Sequence, residues 1–152
     1  MLASFLMGLV GGQRAMTPLA TVYIAAARGE LPDENGRLPF LGAGWAAAAT
    51  ALLAVGELVG DKQKTAPDRI VPIGLAARFM TSALAGMALA PRRERWLGAA
   101  VGGATAVVAS YPGWRARMAA LRRYGQTPTG FVEDAAVVAG AAAIVRTLPV
   151  AA

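Results

Sequence analysis

The sequence predicts an all-α bundle that crosses a membrane about five times. Three observations predict it. Apolar runs near 20 residues long recur along the chain, charge gathers at their borders, and glycines recur four residues apart inside them. Residues 1–152 read as a single membrane domain. A helix needs roughly 20 mostly apolar residues to cross about 30 Å of hydrocarbon.

The first run extends from Leu2 to Ala27 and is interrupted by Gln13 and Arg14. As one helix it would be about 39 Å long, more than a crossing needs. Gly11, Gly12 and Pro18 mark the expected break, and the run is either one kinked span or a re-entrant hairpin. The charged leading region of a secretory signal is missing, because the first basic residue is Arg14. The later runs are Phe40 to Gly60, Ile70 to Ala90, Leu97 to Pro112 (short for a crossing) and Gly130 to Pro149. Leu41 to Val55 and Leu97 to Tyr111 carry no charge at all. A soluble amphipathic helix would show a polar stripe there, and a chain of this length cannot hide five helices apolar all round.

The pairs Gly8 and Gly12, Gly56 and Gly60, and Gly98 and Gly102 let helix backbones approach closely in lipid. Such faces serve contacts within the chain, or contacts with a second copy or a partner membrane subunit. An internal repeat is also expected. Arg14, Met16 and Thr17 recur as Arg78, Met80 and Thr81, and Arg28 and Glu30 recur as Arg92 and Glu94. Leu41-Gly42-Ala43 resembles Leu97-Gly98-Ala99 at a smaller offset. Internal repeats are common in transporters, whose working site lies at the repeat interface.

Composition removes several chemistries. The chain has no cysteine and no histidine, so disulfides, Cys/His zinc sites and histidine triads are excluded. No cofactor or metal is expected. The acids lack a recognisable metal-ligand spacing, so a lipid-modifying enzyme is the weakest reading and the chain is expected not to be an enzyme. The net charge of +6 does not point to nucleic acid, because the arginines flank apolar runs instead of lining one face.

Arg14 and Arg78 fall inside apolar runs, where an unpaired charge costs several kcal/mol. With five alternating spans, Glu57, Asp61, Glu133 and Asp134 share one membrane side, and Arg78 lies about 12 Å below that surface. The expectation is a cluster of Arg14, Arg78, Glu57 and Glu133, with Asp61 and Asp134 near it and Gln13, Thr17 and Thr81 as neutral neighbours. Such a cluster is either an ion or solute pathway or an ion-pair clasp between helices. Acids in a first helical turn also suit the helix dipole, which accounts for Glu133 and Asp134 without traffic. Trp114 to Tyr124 reads as an amphipathic interfacial helix, with Arg115, Arg117, Arg122 and Arg123 facing anionic lipid headgroups. The loop at 61–69 reads as a solvated turn, a gate or a docking loop. Loop Lys and Arg number seven on one side and six on the other, a near balance that leaves dual insertion open, while the long basic loop favours a cytoplasmic N-terminus.

Three segments carry a resemblance. Gly11 to Ala20 (Gly-Gly-Gln-Arg-Ala-Met-Thr-Pro-Leu-Ala), Gly56 to Lys62 followed by Ala66 to Arg69, and Val132 to Asp134 resemble, in order, motifs of a bacterial integral-membrane family called domain of unknown function 4126. The resemblance extends over nearly the whole chain and implies a multi-pass protein of the bacterial cytoplasmic membrane. It implies no activity, substrate or catalytic residue. The functional expectation is a small transporter or channel; the alternative is an accessory subunit of a larger membrane complex.

Overall fold

A computed structural model describes residues 1–32, 43–60 and 70–147. Among them the chain is all-helical. In order come α1 (Leu2–Gly11), α2 (Met16–Ala27), α3 (Gly44–Gly60), α4 (Pro72–Leu89), a 3-10 turn (Arg92–Glu94), α5 (Arg95–Tyr124) and α6 (Gln126–Arg146).

The first run breaks where the glycines predict. α1 ends at Gly11, and α2 begins at Met16. Pro18 is the third residue of α2, where a missing N–H leaves no helical bond unmade. α2 ends in a Schellman motif at Gly29 (φ 70°): Glu30 N–H donates to Ala25 O at 2.9 Å and Gly29 N–H to Ala26 O at 3.1 Å. α4 opens on Pro72, whose fixed φ suits a first helical position.

Two expectations need correction. Leu97 to Pro112 and the separate interfacial helix over Trp114 to Tyr124 are one continuous helix of 30 residues, with Pro112 inside it. The facial sorting that suggested an interfacial helix survives as the outer half of α5, where Arg115, Arg122 and Arg123 are exposed. Second, five full-length spans are not what the helices offer. α4 and α6 are the two long and apolar enough to cross a membrane among the described residues. The break halves the first run, α3 has 17 residues, and the apolar half of α5 is diluted by glycine, serine, tyrosine and proline.

The core is small-residue packing around α1, α2, α4 and α6, with Met7, Val22, Ala85 and Ala141 fully buried. α4 and α5 touch backbone to backbone. A Cβ on Gly98 would sit 2.5 Å from Gly86 O, and one on Gly102 would collide with Ser82 O. α1 joins them, since a Cβ on Gly8 would sit 2.6 Å from Gly102 O. Two of the three glycine pairs are thus used inside the chain. A Cβ on Gly56 or Gly60 would meet nothing within 4 Å among the described residues. The repeated arginines stand in unlike settings, Arg14 between two helices and Arg78 within the unbroken α4; Leu41 and Gly42 lie outside the described residues.

Candidate functional site

Residues 12–15 separate α1 from α2, and their polar groups are met by side chains from three other helices. At a helix start the first N–H groups lack intrahelical partners. Here Glu57 on α3 supplies them: Ala15 N–H donates to Oε1 at 2.7 Å and Met16 N–H to Oε2 at 2.8 Å. A carboxylate in this place also complements the positive end of α2. Exchanging Glu57 for glutamine keeps one acceptor oxygen and turns an NH2 toward the second N–H. Glu57→Gln is therefore expected to lower stability by about 1–3 kcal/mol, the cost of one orphaned donor. Thermal unfolding of the purified protein in one fixed detergent measures it.

Arg14 is 1% exposed. Its Nε and Nη2 both donate to Asp134 Oδ1 on α6, at 3.1 and 2.5 Å. The neighbouring Glu133 points elsewhere: Arg117 Nη1 on α5 donates to Glu133 Oε2 at 2.5 Å, with side chains 9% and 15% exposed. Successive helical residues project about 100° apart, so adjacent acids serve different helices. The expected four-residue cluster is corrected accordingly. Arg14 pairs with Asp134, Glu57 receives the Ala15 and Met16 N–H groups, and Arg117 pairs with Glu133 instead of standing free for lipid.

Arg78 is buried at 5% and approaches the break through serine: its Nη1 lies 3.4 Å from Ser110 Oγ. Ser110 Oγ stands 2.8 Å from Ala106 O in its own helix and 3.2 Å from Gly12 O at the end of α1. Gln13 Nε2 donates to Ala109 O at 3.3 Å. Pro112 brings no N–H to the α5 ladder at this level. Gly113 makes room beside it, since a Cβ there would collide with the Gln13 amide. Gly11 likewise lies against Ser82 Oγ. Thr17 Oγ1 and Ser82 Oγ are buried with no hydrogen-bond partner among the described residues. Thr81 bonds back to Ala77 O at 2.9 Å in its own helix and takes no part in the break. Asp61 lies outside the described residues. Arg115, Arg122 and Arg123 are exposed, with the Arg123 guanidinium 5.4 Å from the Tyr124 ring centre.

Sequence reasoning missed Ser110 and Ser82. Their signal was a hydroxyl inside an alanine- and glycine-rich run, which in lipid finds a backbone carbonyl or a neighbouring helix. It also missed a cleft of about 630 Å³ between the second half of α5 and the first half of α6. Gln13, Gly113, Ala120, Arg117, Thr129 and Glu133 are among its lining residues. No group of three acids among the described residues has a metal-holding arrangement. No protein-family model, curated protein or solved structure matches this chain.

Proposed function

We propose that the chain is a small multi-pass protein of the bacterial cytoplasmic membrane, and that it moves an ion or small solute through a site at the α1–α2 break. The observation that carries this reading is the break itself. Non-helical backbone lies in the bundle interior beside a fully buried arginine, and polar side chains of α3, α5 and α6 converge on it. In lipid, irregular backbone is tolerated only where protein or a cavity satisfies it, and broken helices of transporters hold their sites there.

The membrane setting is supported by an inverted burial pattern. Arg14, Arg78 and Asp134 are buried, while Trp45 (75%), Leu52 (72%) and Ile73 (81%) are exposed. Water penalises that arrangement and hydrocarbon favours it. The exposed Arg115, Arg122 and Arg123 suit anionic headgroups at the interface. The three motif resemblances support placement in the domain of unknown function 4126 family.

Reconstitution tests transport. Liposomes holding the folded protein are expected to pass protons, potassium or chloride faster than empty liposomes, read by entrapped fluorescent reporters. Gln13→Ala is expected to change that flux while leaving the unfolding midpoint nearly unmoved, because it removes only one long hydrogen bond. Folded, correctly inserted protein that passes none of the three ions overturns the reading.

A second reading, an accessory subunit, rests on α3. Leu52, Leu53, Val55 and Val59 are exposed there, and no described residue lies within 4 Å of a Cβ at Gly56 or Gly60. That face suits close approach of another helix. Native mass after purification in mild detergent separates the two readings: a foreign subunit in fixed ratio selects the second, and the chain alone or as a homo-oligomer selects the first.

A further inference from the structure

We propose that the cleft between α5 and α6 is a binding site for a neutral lipid-class amphiphile, one with an apolar body and a hydroxyl or carbonyl head. The inference stands on the cleft alone and does not require that the protein transport anything.

The cleft arises from the one-residue junction at Gly125 (φ 82°), after which α6 starts immediately. From α5 it takes Gly113, Ala116, Arg117, Ala120 and Tyr124, which share one helical face. α6 adds Pro128, Thr129, Val132, Glu133 and Ala136. Alanines in place of longer side chains along this face leave the space empty. Its volume of about 630 Å³ falls in the range of small-molecule sites.

The walls are apolar, and the polar groups are few and of a definite kind. Arg117 and Glu133 are bonded to each other, so the pair presents no net charge to a ligand. Thr129 lines the cleft, and its Oγ1 has no hydrogen-bond partner among the described residues; the oxygen is covered in the rotamer seen and meets a head group by rotation about χ1. In most helices a threonine hydroxyl bonds back to the preceding turn, as Thr21, Thr50 and Thr81 do here. The Gln13 amide reaches the cleft because residue 113 has no side chain to stop it. A hydroxyl and an amide both donate and accept, which fits a head that does the same. A carboxylate or phosphate head would face Glu133 with no uncompensated cation among the described lining residues.

The probe is a monoacylglycerol carrying a diazirine on its acyl chain, added to membranes containing the full chain and photolysed. Peptide mapping is expected to find the label on α5 and α6 around Ala116, Ala120 and Val132. Unlabelled monooleoylglycerol in tenfold excess is expected to suppress it at least fivefold, and oleate at the same concentration less than twofold. Ala120→Trp fills the cleft and is expected to abolish that labelling. Thr129→Val removes only the hydroxyl and is expected to reduce labelling several-fold. Both variants are scored after confirming a wild-type elution profile; if Ala120→Trp does not fold, Thr129→Val decides. Label spread over the outer faces at Leu52 or Val108, indifferent to both variants, overturns the site. Equal competition by oleate overturns the neutral head.

Discussion

Asp134→Ala is expected to destabilise the protein by about 3–5 kcal/mol, the cost found for breaking one side of a buried ion pair. Arg14 is 1% exposed and gives both its Nε and Nη2 bonds to one carboxylate oxygen. Removing the carboxylate leaves a guanidinium in the bundle without that counter-charge, and a guanidinium cannot shed its proton. Arg14→Leu is expected to cost less, because the Asp134 side chain is 11% exposed against 1% for Arg14, so an abandoned carboxylate there is less completely desolvated. The double variant, Arg14→Leu with Asp134→Ala, is expected to regain much of the loss, as apolar replacements of buried pairs often do. Thermal unfolding of all four proteins in one detergent completes the cycle. Losses that simply add would show that the pair is not coupled. The cycle also bears on function: a folded double variant that still passes ions makes the pair a clasp, and one that passes none puts it in the pathway.

The fold was legible where a single residue type dictates the backbone. Gly11-Gly12 with Pro18 marked the break between α1 and α2. Pro112 misled. It read as the end of a run, yet α5 continues through it to Tyr124. A proline inside a helix removes one N–H, and packing on α4 and α1 can outweigh that loss. The charged residues were legible as a set and not as pairs. Composition along the chain located Arg14, Arg78, Glu57 and the acids at 133–134, but pairing depends on helix rotation. One residue of rotation decides between Glu133 and Asp134. Glu57 was read as a counter-ion for arginine, whereas it meets backbone N–H groups that only the break exposes. The α5–α6 cleft was invisible because it depends on how two helices diverge after Gly125. The repeat matched residue types at fixed spacing without matching their surroundings.

The second large effect separates packing from helix propensity at two glycines. Gly102→Ala is expected to destabilise the protein by about 1–3 kcal/mol, the range for overpacking a close-packed site. The added carbon would collide with Ser82 O and stand 3.2 Å from Gly86 Cα, both backbone atoms of α4 that no rotamer change can move. Relief requires α5 to shift, but Gly102 O already faces Gly8 on α1, so the shift would disturb a third helix. Gly56→Ala is the matched control. It too lies inside a helix, and a Cβ there meets nothing within 4 Å among the described residues. Alanine there should raise stability by about 0.5–1 kcal/mol, because glycine loses more backbone freedom on ordering. Both substitutions carry the same propensity gain, so opposite signs in the unfolding midpoint isolate the backbone contact at Gly102. Equal, favourable shifts at both positions would mean that α4 and α5 do not meet through Gly86, Gly98 and Gly102. A loss at Gly56→Ala in the oligomeric protein, absent from the isolated chain, would instead show the open glycine face of α3 in contact with another helix.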